Sequence, residues 1–366
     1  MQVSFLDLRV MDEEREEILA AMRRMFDHGQ FVMGEELFSF ERQLSNYLGR
    51  RHAIGVSSGS DAVYIALRAL QLRPGDEVIT TCLSWIATAN AIYRAGGTPV
   101  FADTGCDLNI SVDSVARLVS DRTRAIVSVD FTGKLCDYEE LMQIAESKGI
   151  YIVQDGSQAF GARKGKYFSG KTGILSAISH NPMKVFGALG EAGSILTDDD
   201  ALAERCKVLR YNGTINKEYC IEPSLNGRMD SIQAAILQIR LRRFPLVLQR
   251  RLRHFQIYKE GLSENPHVIL PRIEIDETHS LYTMTLLAEK RDALMKYLND
   301  YGIETKIQHP ILMCDQAPFL EFRRESARAA EQVKSIISVP IHEKLNDSQI
   351  SYVVEKISSF YASLSA

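Results

Sequence analysis

The chain has 366 residues, of which 45% are hydrophobic and 25% are charged, and this suits a globular protein with one large and one smaller domain. The formal net charge of −4 provides no overall attraction to nucleic acid or to an anionic membrane. The N-terminus lacks the basic and apolar regions of a signal peptide, and no uncharged stretch approaches the ~18 residues of a membrane-spanning helix. We therefore expect a cytoplasmic protein that binds neither nucleic acid nor membrane.

The cysteines give no sign of a metal site or a disulfide framework. All six are scattered along the chain, without a CxxC pair and without a histidine at metal-ligand spacing. Free thiols in a reducing compartment explain this distribution best. We expect no bound metal.

Two amphipathic helices are predicted near the N-terminus, over residues 11–28 and 35–48, because apolar residues recur there at helical spacing. A short strand then breaks at residues 57–60, and a helix begins at once with Ser60 or Asp61 near its N-cap. Free backbone amides at a helix N-terminus bind anions. The pattern fits either an anion site or a plain helix cap.

Strands and helices alternate over the next part of the chain. Strands are predicted at residues 77–81, 98–103, 124–130 and 151–155, with helices that begin near Trp85 and at Tyr138. This alternation favours a largely parallel sheet covered by helices, and such sheets bind ligands at the carboxyl ends of their strands. Asp155, Trp85, the 57–60 loop and the segment before Lys184 fall at such ends, which predicts a single site.

The second half begins with a strand at residues 193–197 and a helix at 199–209, followed by a long helix from Met229 to about Tyr258 with a kink at Pro245. Six arginines lie on this helix among apolar residues, which favours a solvated face on a domain-connecting helix over a nucleic-acid patch. Beyond residue 266 we predict a smaller α+β unit, with a strand at 279–287 and helices at 291–301, 326–335 and 347–364. We place a large domain at residues 1–245 and a small C-terminal domain at 246–366.

Several side chains at the predicted site suit a charged ring cofactor, although each also has a simpler explanation. Lys184 lies among small residues and could form a Schiff base or be a surface lysine. Asp155 could keep a pyridinium nitrogen protonated or cap a helix. Trp85 could stack on a flat ring or pack in the core. Ser60 and Ser179 could hold a phosphate.

Seven motifs in a fixed order resemble those of the DegT/StrS-type sugar aminotransferases, which are fold-type-I pyridoxal-phosphate enzymes. The motifs are SGSDA (58–62), PGDEV (74–78), WIATANAI (85–92), QDGSQAFGA (154–162), SHNPMK (179–184), GEAG (190–193) and NGRMDSIQAA (226–235). The resemblance covers nearly the whole chain. It implies an α/β fold of the aspartate-aminotransferase type, with a large, mostly parallel sheet domain and a smaller C-terminal α+β domain.

The resemblance implies a role for each residue that would contact the ring of the cofactor. Lys184 would be the lysine that forms the aldimine with pyridoxal 5′-phosphate and moves the proton between the substrate and cofactor carbons. Asp155 would pair with the pyridine nitrogen, Gln158 would lie against the phenolic oxygen, and Trp85 would be the stacking ring.

The phosphate end of the cofactor has its own set of implied contacts. Gly59, Ser60 and Ser179 would hold the phosphate, joined by Asn226 from a second subunit. The resemblance thus implies a homodimer with its active site at the subunit interface.

The reaction implied by the resemblance is ping-pong. Glutamate or glutamine leaves its nitrogen on the cofactor as pyridoxamine 5′-phosphate, and a keto sugar then accepts it. A nucleotide-linked sugar of surface-polysaccharide or secondary-metabolite biosynthesis is the first expectation, while a free keto sugar acid of the octulosonate type and a keto-cyclitol stay open. A pyridoxamine-dependent sugar dehydratase would carry histidine in place of Lys184, and loss of Lys184 or Asp155 would favour a non-catalytic regulatory relative.

Two residues beside the lysine depart from the family pattern. His180 stands where the family usually has an aromatic residue, and Asn181 where it often has histidine or tyrosine. We expect both to contact the acceptor, which would then differ from the common nucleotide-linked 4-keto sugars. Arg228 and His309 are further candidates for substrate contact.

Overall fold

A computed structural model describes residues 1–365 of the chain. Its helices are α1 (Asp12–His28), α2 (Glu35–Leu48), α3 (Gly59–Ala69), α4 (Ala87–Arg94), α5 (Val112–Leu118), α6 (Tyr138–Lys148), α7 (Asp200–Arg210), α8 (Ser231–Leu262), α9 (Arg291–Asp300), α10 (Ala327–Ser335) and α11 (Asp347–Ser365). No helix within residues 1–365 is both long and apolar enough to cross a membrane.

The strands fall into one large sheet and three small ones. They are β1 (His52–Val56), β2 (Glu77–Thr81), β3 (Thr98–Ala102), β4 (Thr123–Val129), β5 (Tyr151–Asp155), β6 (Arg163–Lys164), β7 (Tyr167–Phe168), β8 (Leu175–Ser179), β9 (Gly193–Thr197), β10 (Thr214–Ile215), β11 (Tyr219–Cys220), β12 (Val268–Ile269), β13 (Glu277–Thr278), β14 (Met284–Ala288) and β15 (Ile336–Val339).

The large sheet has seven strands in the order β1-β9-β8-β5-β4-β2-β3. The five from β8 to β3 run parallel, and β9 pairs antiparallel with both β8 and β1. Nearly every residue of these strands is buried, because helices cover both faces of the sheet. The predicted mostly parallel α/β fold is confirmed. The carboxyl ends of β1, β5 and β8 meet at one edge, and this is what brings the site together.

The C-terminal part has a core of its own, around the sheet β12-β14-β15 and helices α9 and α11. The second half of α8 contributes Phe255, Tyr258 and Leu262 to this core, and Val3 reaches it from the N-terminus. Helix α8 therefore belongs to both cores. The helix is continuous from Ser231 to Leu262 with Pro245 inside it, and the kink predicted at Pro245 stays a prediction. The domain boundary that we place at residue 245 lies inside this helix and remains a proposal.

Ion pairs within the chain involve most of the arginines on α8. Five of the six pair with carboxylates, in the pairs Arg240–Glu14, Arg242–Glu17, Arg243–Glu17, Arg251–Glu343 and Arg253–Asp347. These partners lie on α1 and near the start of α11. The pairs support the interpretation of α8 as a helix that connects parts of the same molecule.

One predicted element boundary was wrong, and the difference affects the site. Residues 279–283, predicted as strand, form a bend with Leu281 at a φ of 53°, and the strand begins only at Met284. The helix predicted to begin near Trp85 starts at Ala87, and Trp85 precedes it. Tyr282 and Trp85 therefore both lie in loops beside the strand ends.

Candidate active site

A cavity of about 690 Å³ lies at the carboxyl ends of the large sheet's strands. It gathers most of the residues that the sequence singled out, namely Gly59, Ser60, Trp85, Asp155, Gln158, Ser179, Asn181, Lys184 and His309. A second cavity of about 780 Å³ lies between α8 and the N-terminal segment, and among the predicted site residues it contains only Lys184. The smaller cavity is therefore the candidate active site.

One end of the cavity is a cradle of small residues at the start of α3. Ser58 caps this helix, because its Oγ accepts a hydrogen bond from the amide of Asp61 at 3.0 Å. Gly59 lies directly against the end of β8, since a Cβ at that position would be 2.4 Å from the Cβ of Ser179. The hydroxyls of Ser60 and Ser179 flank the helix N-terminus. Such an arrangement suits a phosphate group.

The carboxylate of Asp155 lies at the end of β5 and is held from two sides. Thr88 Oγ1 donates to its Oδ2 at 2.9 Å, and the amide of Ser157 donates to its Oδ1 at 3.2 Å. The residue is 5% exposed. A fixed, buried carboxylate in a cavity wall is suited to pair with a protonated ring nitrogen. The sequence interpretation did not assign a role to Thr88, although it lies inside the quoted 85–92 motif.

Gln158 is oriented by the backbone of a neighbouring loop. The amide of Thr132 donates to its Oε1 at 3.0 Å, and this leaves Nε2 as the donor on the cavity side. An N–H donor in this position suits an anionic or phenolic oxygen of a bound ring. The predicted role of Gln158 is consistent with this geometry.

Lys184 follows β8 in a tightly folded loop. Its own amide donates to the carbonyl of Asn181 at 2.8 Å, and the amide of Ala188 donates to the carbonyl of His180 at 2.7 Å. The Nζ atom lies 4.4 Å from the centre of the Tyr282 ring. Tyr282 was missed by the sequence interpretation, which placed it in a strand, and no local pattern marks its contact with Lys184.

The position of Tyr282 is fixed by hydrogen bonds to the loop that follows β4. Ser280 donates from its amide to the carbonyl of Gly133 at 2.8 Å and from its hydroxyl to the carbonyl of Gln158 at 3.1 Å. Gly133 has a φ of 114°, and a Cβ there would be 2.9 Å from the Tyr282 amide. Only glycine allows this close approach.

Trp85 and His309 form an aromatic wall of the cavity. Their ring centres are 5.9 Å apart, and His309 also lies 5.7 Å from the Phe131 ring. Trp85 is 61% exposed, so its ring is not part of the core. Burial and, next, the charges of Lys184 and Lys306 lower the pKa of His309 to about 4, and the imidazole is neutral at neutral pH.

His180 does not reach the cavity. Successive residues of β8 and its extension point to opposite faces, so Ser179 and Asn181 face the cavity while His180 faces the core. Its Nε2 lies 2.8 Å from Ser194 Oγ and its Nδ1 lies 3.1 Å from the Phe186 carbonyl oxygen. Burial lowers its pKa to about 4. The expected contact between His180 and the acceptor has no support in this geometry.

Asn181 lies at the cavity wall, next to Lys184. Its Nδ2 donates to Glu191 Oε1 at 2.6 Å, and Glu191 is itself a cavity residue that the sequence interpretation did not assign. The pair places an amide and a carboxylate at the mouth of the cavity. Asn181 therefore stays a candidate for contact with substrate.

Asn226 and Arg228 lie outside the cavity of their own chain. The Nε of Arg228 donates to Asn226 Oδ1 at 2.7 Å, and its guanidinium stacks 4.7 Å from the centre of the Tyr211 ring. Between them, the Gly227 carbonyl accepts a hydrogen bond at 2.9 Å from the amide of Ser57. The segment thus lies on the surface beside the cradle loop, where a second subunit could meet it.

No group of His, Cys, Asp and Glu side chains within residues 1–365 could hold a metal ion. The cavity lining includes two lysines, Lys184 and Lys306, and two carboxylic side chains, Asp155 and Glu191. The chemistry of the site therefore depends on these groups and on whatever ring and phosphate the cradle binds.

Comparisons with known proteins agree with this arrangement. Residues 12–358 match the model of the DegT/DnrJ/EryC1/StrS aminotransferase family. The chain is 35% identical, over 99% of both chains, to a protein of Geobacillus stearothermophilus named pleiotropic regulatory protein. It is 34% identical, over 98% of this chain and 99% of the other, to the dTDP-3-amino-3,6-dideoxy-alpha-D-galactopyranose transaminase of Aneurinibacillus thermoaerophilus.

A solved structure extends the likeness to three dimensions. The crystal structure of DesV from S. venezuelae in complex with a ketimine intermediate superposes with a TM-score of 0.94, at 32% identity over 98% of both chains. The fold, the strand-end cavity with its lysine and carboxylate, and the match along residues 12–358 agree with one another. The chain belongs to the DegT/DnrJ/EryC1/StrS aminotransferase family.

Proposed function

We propose that this protein is a cytoplasmic, pyridoxal-phosphate-dependent aminotransferase that moves an amino group from glutamate or glutamine to a nucleotide-linked keto sugar. The observation that carries the proposal is the convergence of Lys184, Asp155 and the Gly59–Ser179 cradle in one cavity. The relative from Aneurinibacillus thermoaerophilus, whose name gives a dTDP-linked amino sugar, supports the substrate class. Biosynthesis of surface polysaccharides or secondary metabolites is the setting that we propose.

The residues of the cavity fit pyridoxal 5′-phosphate at both ends. The cradle where a Cβ would clash, with Ser60 and Ser179 beside the α3 N-terminus, would hold the phosphate. Asp155 would face the pyridine nitrogen, Gln158 the phenolic oxygen, and Trp85 the face of the ring. When bound, such a cofactor supplies a carbonyl for amines and a ring that stabilises negative charge at the adjacent carbon.

Lys184 is the residue to which we assign proton transfer. It lies at the cavity floor, between the end of β8 and the Tyr282 ring. In our proposal its amine would hold the cofactor and, when free, would hold and move the proton at the reacting carbon. Asp155, fixed by Thr88 and Ser157, would keep a positive charge on the ring nitrogen. His309 is neutral and adds no competing positive charge.

We also propose a homodimer in which Asn226 of each chain completes the phosphate site of the other. Asn226 is exposed and lies beside the cradle loop but outside the cavity of its own chain. Arg228, bound to Asn226, would come with it. Both residues would then contact ligand only across the subunit interface.

Other acceptors remain compatible with the cavity, and a free keto sugar acid or a keto-cyclitol is the alternative within the same reaction class. The name of the Geobacillus relative suggests regulation, but Lys184 and Asp155 are both present and face the same cavity. The retained lysine also disfavours a pyridoxamine-dependent dehydratase.

Absorption spectroscopy tests the proposal. Protein loaded with pyridoxal phosphate should show a visible band, and L-glutamate should bleach it as nitrogen moves to the cofactor. Lys184→Ala should lack the lysine-dependent band, while Lys296→Ala, at an exposed site on α9, should behave as wild type. A band that survives Lys184→Ala, or no band in wild type, would refute the proposal.

A further inference from the structure

The end of the cavity opposite the cradle is formed by the C-terminal part of the chain. Two backbone hydrogen bonds to Ser338, at 3.0 and 2.7 Å, fix Lys306 there. The backbone of Lys306 thus pairs with the edge strand β15. Its side chain is exposed, lines the cavity and has no ion-pair partner among residues 1–365. Lys306 thus has a fixed backbone and a side-chain amine that is available to a ligand.

Gln308 lies next to this lysine and is buried, at 7% exposure. Its side-chain amide has no hydrogen-bond partner within the described chain. It lines both the cavity and an adjoining recess of about 40 Å³, which it shares with Lys306, Tyr282 and Arg251. The recess also borders His342, whose buried Nδ1 likewise lacks a partner among residues 1–365. A buried polar atom without a partner is uncommon, and the Nδ1 of His342 is one at this recess.

The charges of the cavity show which kind of ligand this recess suits. In the proposed function Lys184 acts on the cofactor and the reacting carbon. The carboxylates of Asp155 and Glu191 repel anions. Lys306 is the remaining cation of the cavity lining, since Arg251, which lines the recess but not this cavity, is paired with Glu343 at 2.9 Å. An amino-acid donor always carries a carboxylate beside its amino group, and that carboxylate needs a cation or N–H donors when it leaves water.

We propose that Lys306 and Gln308 bind a carboxylate of the amino-acid donor. Lys306 supplies the charge and Gln308 a side-chain N–H, while Tyr282 forms the side of the recess that faces Lys184. This inference rests on the proposed aminotransferase function. It assigns the small-domain end of the cavity to the donor and the region around Trp85 and Asn181 to the rest of the substrate.

The donor half of the reaction tests this assignment without any knowledge of the acceptor. Wild type, Lys306→Met, Lys306→Arg and Gln308→Leu are loaded with pyridoxal phosphate, and bleaching is followed against L-glutamate concentration. We expect the half-saturating concentration to rise about tenfold or more in Lys306→Met, with the limiting rate nearly unchanged. The half-saturating concentration of Lys306→Arg should stay near that of wild type, and that of Gln308→Leu should rise several-fold. Lys290→Met is the control.

Binding of glutarate, a dicarboxylate without an amino group, gives a readout besides activity. Calorimetry should rank the variants by glutarate affinity in the same order as the glutamate experiment does, with Lys306→Met binding glutarate most weakly. Equal glutamate dependence and equal glutarate affinity in Lys306→Met and wild type would overturn the assignment. That result differs from failure of the proposed function, in which wild-type protein itself shows no visible band or is not bleached by glutamate.

Discussion

The ammonium of Lys184 lies 4.4 Å from the ring centre of Tyr282, a residue of the bend between the two parts of the chain. The bend is anchored through Ser280 to Gly133 and Gln158, so the ring is held by the same loop that orients a proposed cofactor contact. A cation over an aromatic face is stabilised by about 0.5–2 kcal/mol, depending on how dry the site is. Tyr282 therefore sets where the free amine of Lys184 rests.

Removing the ring should slow proton transfer by Lys184. We expect Tyr282→Leu to lower the rate of the glutamate half-reaction by about 2- to 30-fold, which corresponds to that range of energies. Tyr282→Phe keeps the ring and should stay near the wild-type rate. Stopped-flow absorption measures both. A Phe variant as slow as the Leu variant would assign the effect to the hydroxyl instead.

Filling the cradle should expel the phosphate. The Cβ of Gly59→Ala would be 2.4 Å from the Cβ of Ser179, and one of the two elements must move. We expect the affinity for pyridoxal phosphate to fall by about tenfold or more, because helix amides and serine hydroxyls lose their alignment. Titration of apoprotein measures this loss. Gly105→Ala, whose Cβ would meet the Asp107 Oδ1 at 3.1 Å and the Asn109 carbonyl oxygen at 3.7 Å, is the control and should bind normally.

Sequence reasoning expected the site at the strand ends, and the structure brings most of the residues predicted there into one cavity. Asp155, Gln158 and Ser179 lie close together because the carboxyl ends of parallel strands share one edge. His180 was misjudged for an equally simple reason: adjacent residues of an extended chain face opposite ways. Tyr282, Lys306 and Gln308 could not be found, because only the packing of the C-terminal part against the sheet brings them to Lys184.

His180 should affect stability rather than substrate binding. His180→Phe would remove the hydrogen bonds to Ser194 and to the Phe186 carbonyl, and we expect a loss of about 1–3 kcal/mol in the free energy of unfolding. The glutamate concentration at half-saturation should not change. Denaturant titration and the donor half-reaction check the two statements. A large rise in the half-saturating glutamate concentration without a change in stability would indicate that His180 contacts the substrate.

Acid should destabilise the fold through its buried histidines. Burial holds the pKa of His180 at about 4, below its ordinary value of 6.5, so the unfolded chain binds a proton that the folded chain does not. Stability is therefore full above pH 6.5 and falls as the pH drops toward 4. His279 adds to this slope, since burial lowers its pKa to about 3. The free energy of unfolding, measured with denaturant between pH 4 and 7, should depend less steeply on pH in His180→Phe than in wild type.

Mixing two inactive variants tests the contribution of the partner subunit. If Asn226 serves the opposite site, Lys184→Ala and Asn226→Ala homodimers should each have little activity, while hybrid dimers contain one intact site. Random mixing should restore about a quarter of the wild-type sites. Subunit exchange followed by the glutamate half-reaction gives the readout. Fully active Asn226→Ala protein, or no recovery in confirmed hybrids, would show that Asn226 does not act across the interface.

The central claim is that Lys184 carries the cofactor, and chemical trapping tests it most directly. Protein loaded with pyridoxal phosphate is reduced with borohydride, digested, and its peptides are identified by mass spectrometry. We predict one modified peptide, with the cofactor on Lys184. Modification at another lysine, or none in protein that has bound the cofactor, would contradict the account.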